Sequence, residues 1–152
     1  MVAAVEETLQ TLNITREVQI AAPVEIAFEA ILAELGPESV MPGGTPFPMK
    51  IEPWPGGRWF RDLGNDTGHF WGHVQVIKPP TLLEIRGPLF MSYPSVNFLQ
   101  YRLVAEAGGT KLKLNHRAMG LIPADHKEGV VEGWDYTITR IREIAEARAK
   151  KK

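Results

Sequence analysis

The 152-residue sequence contains no cysteine, so disulfide staples, thiolate metal sites and cysteine nucleophiles are all excluded. It also lacks any apolar run near the ~20 residues that a membrane-spanning helix needs. The opening Met-Val-Ala-Ala-Val-Glu-Glu has neither the basic start nor the apolar stretch of a secretory signal. A soluble, cytoplasmic protein is the expectation, with no membrane partner. Charge of one sign is missing too: 17 basic residues face 18 acidic ones, for a net charge of -1. Nucleic-acid binders concentrate cationic surface, and the only strongly basic run here is Lys150, Lys151 and Lys152 at the end, which reads as a solvated helix terminus. No nucleic-acid partner is expected. Nor is there a Gly-x-Ser-x-Gly elbow, a phosphate-cradling loop or a dinucleotide fingerprint, so no cofactor is expected.

What is present is an ordinary globular composition, 44% hydrophobic and 23% charged, in a chain of the size of one domain. No linker, repeat or low-complexity tract divides it, and a single domain over 1–152 is expected, with 1–12 as a loosely ordered lead-in. The β-branched segment 14–20 reads as a strand. Pro23 then opens a helix in which Val24, Ala27, Phe28, Ile31, Leu32 and Leu35 form an apolar face, and Gly36-Pro37 ends it. A second short helical turn is expected at 38–41. From Phe47 to Arg117 short β-rich runs at 49–53, 57–63, 68–77, 82–86, 96–105 and 111–117 alternate with turn signals at Pro55-Gly56, Gly64-Asn65-Asp66, Pro79-Pro80 and Gly108-Gly109. That is an antiparallel meander. The last segment carries Val130, Trp134, Ile138, Ile141 and Ala145 in steps of three and four, the stripe of a long amphipathic helix. The only large apolar surface on which that stripe can be buried is one face of the sheet. The expected fold is α+β: a curved antiparallel sheet of about seven strands wrapped around a long C-terminal helix, with two short helices after the first strand.

This order of elements, together with Ile20-Ala21-Ala22-Pro23, Gly56-Gly57-Arg58-Trp59, the run Gly72-His73-Val74-Gln75-Val76-Ile77 before Pro79-Pro80 and Leu82, Gly108-Gly109-Thr110, and Gly133-Trp134, resembles the START-like (SRPBCC, birch-pollen-allergen-like) superfamily. Within it the chain is similar to the heat-shock-protein-90 ATPase activator homologue family. The resemblance covers roughly residues 14–145 and implies a helix-grip fold with an elongated cavity between sheet and C-terminal helix, used across the superfamily for hydrophobic molecules. It does not name the ligand, and the larger client-binding arrangement of the namesake activators has no counterpart in this sequence.

Four tryptophans, six phenylalanines and five methionines suit a pocket for a planar or flexible apolar molecule. The candidate ligand-binding residues are Trp59, Trp71, Phe90, Phe98, Tyr101, His116, Trp134 and Ile138, set against the simpler reading that aromatics fill the core. The loop 87–94 holds Leu89, Phe90, Met91 and Tyr93. It could gate the cavity, pack on a second subunit in a homodimer, or be buried under the first helices. His116 alternates in phase with Leu112 and Leu114 and is the one candidate acid–base residue, although a lone histidine on an apolar face is more often a satisfied core group. His69 and His73 fall on one side of a regular strand, but ~13 Å of extended chain separates them, so no metal site is expected. Asp125 is read as a helix cap beside His126. The faces of Arg61, Arg102 and Glu84 depend on strand register; an inward Arg61 or Arg102 would suggest an anionic head group on the ligand. The leading functional expectation is binding of a hydrophobic or amphipathic small molecule. Its rivals are a polyketide cyclase/aromatase- or hydratase-like enzyme and a protein-interaction module.

Overall fold

The computed structural model describes residues 2–151. Strand β1 (Gln10–Ile20) leads into helix α1 (Val24–Leu35), and the strands β2 (Lys50–Ile51), β3 (Arg58–Gly64), β4 (Thr67–Lys78), β5 (Leu82–Gly87), β6 (Ser95–Glu106) and β7 (Gly109–Gly120) follow before helix α2 (Ala124–Lys150). All seven strands form one antiparallel sheet in the order β1-β7-β6-β5-β4-β3-β2. The curved sheet, the single short helix and the long C-terminal helix make the expected α+β helix grip. No helix among the described residues is long and apolar enough to cross a membrane.

Alternation decides the inner face. On β7, Thr110, Leu112, Leu114, His116 and Ala118 are buried while Lys113 and Arg117 are exposed. On β6, Asn97, Leu99, Tyr101 and Leu103 are buried. Directly paired residues share a face, so Leu99 opposite His116 and Ile85 opposite Leu99 continue one apolar surface across the sheet. Helix α2 covers that surface with Val130, Trp134, Ile138, Ile141 and Ala145, the residues of the sequence stripe, all buried. Burying a valine or isoleucine side chain of this stripe contributes roughly 1.5–3 kcal/mol.

Three expectations need correction. The first strand begins at Gln10, inside the segment read as lead-in, because β7 runs on to Gly120 and gives Gln10 a partner. The second short helix at 38–41 does not form. Val40 bridges Pro46, and Met41 N–H donates to Thr45 C=O, so this proline-flanked stretch closes a loop instead. Asp125 makes no capping hydrogen bond; Pro123 holds the cap position of α2 and Asp125 only places negative charge in its first turn.

Candidate functional site

Irregularity in β4 builds the site. Trp59 pairs with Gly72 and Phe60 with Phe70, so Trp71 is an extra residue in a β-bulge. The extra residue shifts the alternation and brings Trp71 to the inner face beside Trp59, with ring centroids 5.0 Å apart at an edge-on 79°. Trp59 is held by its indole N–H, which donates to Leu35 C=O at 2.7 Å and so satisfies a carbonyl at the end of α1. The same bulge separates two histidines expected to share a side: His69 opposes Arg61 on the inner face, whereas His73 opposes Arg86 on the outer face, next to Phe70.

The loop 88–94 supplies the facing wall. Leu89 adopts a left-handed backbone (φ 54°) and donates its N–H to Trp71 C=O at 2.8 Å. With Leu89 and Met91 both buried, Phe90 projects between them onto Trp71 at 5.7 Å and Trp134 at 5.9 Å. Together with Phe47 and the near side of α2, these rings line a pocket of about 680 Å³. Its helical wall contains Gly129 and Gly133, and a Cβ added to either would meet no atom within 4 Å. Glycine inside a helix costs roughly 1 kcal/mol relative to alanine, so this helix gives up stability where it leaves room.

Behind the pocket runs a buried polar chain. The Trp134 indole N–H donates to His116 Nδ1 at 2.8 Å, and His116 Nε2 meets Asn97 Oδ1 at 2.7 Å. Indole only donates, so Nδ1 is the acceptor and Nε2 carries the proton. Asn97 in turn donates to Pro88 C=O at 3.2 Å and Ser95 Oγ at 3.0 Å, which ties the loop 88–94 to the sheet. Burial pushes the His116 imidazole down to about 4. At neutral pH it is uncharged, with both nitrogens occupied. A proton-sensitive NMR spectrum of the imidazole nitrogens is therefore expected to show the Nε2–H tautomer from pH 8 down to pH 5; a midpoint near the ordinary histidine value would contradict this account.

A second polar group faces the cavity itself. Glu34, in the last turn of α1, is only 6% exposed and lines the pocket. Burial pushes its carboxyl up to about 8, and the nearby Arg140 charge offsets only part of that. His126, also on the wall, is hydrogen-bonded at Nδ1 to the Tyr93 hydroxyl. Arg61 does turn inward, but its guanidinium stacks 3.7 Å over the Phe47 ring. Arg102 is exposed, and Glu84 accepts from Gln100 at 2.7 Å on the outer face.

The structure thus brings Trp59, Trp71, Phe90 and Trp134 together around one pocket. His116 sits directly behind Trp134. Tyr101 and Ile138 are buried in the core outside the lining. Phe98 is on the opposite face, paired with Arg86 and Arg117, because its neighbours Asn97 and Leu99 take the inner positions. Sequence reasoning passed over Glu34, Phe47 and the glycine pair. Only the glycines carried a legible signal: two of them at helical spacing inside an otherwise strong amphipathic helix.

The family described as activator of Hsp90 ATPase homolog 1-like protein matches residues 21–146. No curated protein sequence matches significantly. Among solved structures, an uncharacterised protein from Rhizobium leguminosarum superposes with a TM-score of 0.75 at 16% identity, over 94% of this chain and 99% of that one. An AHSA1-like protein from Rhizobium etli gives 0.60 at 24% identity, over 90% and 83% of the two chains. The di-domain ARO/CYC protein StfQ of the steffimycin biosynthetic pathway gives 0.64 at 13% identity, over 93% of this chain and 52% of its own. At these identities the likeness is one of fold.

Proposed function

The chain belongs to the activator of Hsp90 ATPase homolog 1-like family, and on that premise we propose that its pocket takes up a hydrophobic or amphipathic small molecule. The observation that carries this reading is the space beside Gly129 and Gly133, about 680 Å³ bounded by aromatic rings. Pockets for small ligands commonly fall in this size range, with mostly apolar walls and a few polar groups. The loop 88–94 supports the same reading, since Leu89 and Met91 are spent on the core and Phe90 on the pocket wall. That leaves little of its apolar surface for a protein partner.

Native mass spectrometry of freshly purified protein is expected to show one added organic mass per chain. Replacing Gly133 by leucine should fill the space, abolish that added mass and raise the melting temperature by roughly 2–4 °C through better helix propensity. An empty wild-type protein whose pocket tryptophans also ignore an added apolar dye would sink the proposal.

A catalytic reading is favoured by one feature, the Tyr93–His126 pair at the wall, and by the fold it shares with the ARO/CYC protein StfQ. Proton transfer in a cyclase- or aromatase-like reaction would then fall to His126 or Glu34, since His116 has no free nitrogen. Turnover that survives replacement of both His126 and Glu34 would remove this assignment of the proton transfer, and no turnover of any polyketide-like substrate by the wild-type protein would remove the catalytic reading.

A further inference from the structure

Three polar side chains near the C-terminal end of α1 are left incompletely hydrogen-bonded by the fold; Arg140 uses one guanidinium nitrogen on Glu38 C=O, at 3.3 Å, but not its Nε. The Glu34 carboxyl lines the pocket and is shifted by burial and by charge, with no hydrogen bond to another described residue. The hydroxyl of the fully buried Tyr101, on β6, and Arg140 Nε, on α2, are buried without a hydrogen-bond partner. The three are close enough to act on one another: the Arg140 charge favours ionised Glu34, and a Glu34 charge would drive the Tyr101 hydroxyl further up. Buried polar atoms are paired in the great majority of cases, so a buried carboxyl without a hydrogen bond, beside two unpaired buried atoms, calls for a missing participant. Of the three, only Glu34 lines the pocket.

We propose that Glu34 is the specificity-determining residue of the pocket, and that it donates a hydrogen bond to a carbonyl oxygen at the leading end of an otherwise apolar ligand. This rests on the reading of the pocket as a ligand site. A carboxyl surrounded by protein and aromatic rings is held in its neutral form, which makes it an O–H donor. An amine ligand would have to draw Glu34 into its charged form against the burial that holds it neutral, with the positive Arg140 nearby working against a second cation. A carboxylate ligand would have to be desolvated, and neither Arg140 Nε nor Arg61 Nη1, the two buried guanidinium nitrogens without a partner among the described residues, belongs to the pocket wall to pair with it. An uncharged carbonyl oxygen incurs neither penalty and supplies the acceptor that Glu34 lacks.

Three naphthalenes of nearly equal size test the assignment: 2-acetylnaphthalene, 2-isopropylnaphthalene and 2-naphthoate, titrated at pH 6.5 against the protein with its tryptophan indole N–H resonances as reporters. Trp71 and Trp134 line the pocket and Trp54 is exposed outside it, which makes Trp54 the internal control. The ketone is expected to bind about tenfold tighter than the hydrocarbon. Glu34→Leu should erase that ratio, whereas Glu34→Gln, whose amide still donates, should keep most of it. A ratio unchanged in Glu34→Leu, or a wild-type protein that binds naphthoate most tightly, overturns the proposal and leaves the pocket reading standing. If none of the three probes moves Trp71 or Trp134, both fall together.

Discussion

Replacing Glu34 by glutamine is expected to make the protein more stable, and increasingly so as the pH rises. The Glu34 carboxyl has an ordinary value of 4.5 in the unfolded chain and is raised to about 8 in the fold. Between those values the folded state holds a proton that the unfolded state has released, so stability falls with rising pH. Across the whole window the loss amounts to about 4 kcal/mol, a large part of the ~5–15 kcal/mol that holds an ordinary domain together. Glutamine removes the ionisation and keeps the shape. Urea unfolding of the two proteins should therefore nearly coincide at pH 4.5 and diverge by about 4 kcal/mol at pH 8.5. A constant difference at all pH values would mean that Glu34 is not held neutral.

The wild-type curve has a second contributor of opposite sign. His116 is lowered from 6.5 to about 4, so the unfolded state binds the extra proton in that window and stability is lost as pH falls from 6.5 towards 4. Between about pH 4.5 and 6.5 the two slopes cancel, and only above that does the Glu34 decline show alone.

The other large effect centres on Trp134. Its truncation to alanine removes a buried ring from the middle of α2 and orphans His116 Nδ1 at the same time. Lost burial and the cavity left behind cost about 3–5 kcal/mol, and an unpaired buried acceptor adds about 1–3 kcal/mol. Trp134→Phe separates the two terms, because it keeps most of the ring and forfeits only the hydrogen bond. Chemical denaturation should rank wild type above the phenylalanine variant and that above the alanine variant, with the larger step at the second substitution. In both variants the His116 titration should move back up towards its ordinary range. A phenylalanine variant as stable as wild type, with His116 unmoved, would show that the indole bond contributes nothing.

Much of the architecture was legible in residue order because local patterns and tertiary demands agree. The stripe Val130, Trp134, Ile138, Ile141 and Ala145 predicts a helix and its buried face correctly, since nothing but packing competes for those positions. Turns announced by Gly64-Asn65-Asp66 and Gly108-Gly109 are turns, with Asn65 and Asp66 both at positive φ as a tight two-residue hairpin demands. The site was harder to read. A single inserted residue at Trp71 inverts the face of the residues after it until a second irregularity between Val74 and Val76 shifts the phase again, and no local signal marks a bulge in Phe70-Trp71-Gly72. Phe98 misled for the complementary reason: an aromatic in a strand next to apolar neighbours looks inward, yet the polar Asn97 holds the inner place because His116 needs its oxygen. Glu34 looks like a solvated residue near a helix end, and only the docking of α1 against α2 and β6 hides it.

The pairing of β1 with β7 carries a consequence for how the chain is made. Ile20 lies against Thr110 and Gln10 against Gly120, so β1, once out of the ribosome, must wait about a hundred residues for its neighbour. At common translation speeds that is roughly 5–20 s. Throughout that interval Ile14 and Ile20, both buried in the finished protein, have no sheet to join. Pairing of such distant strands makes folding slow relative to helical proteins of the same size, and the nascent chain is at its most adhesive just before β7 emerges.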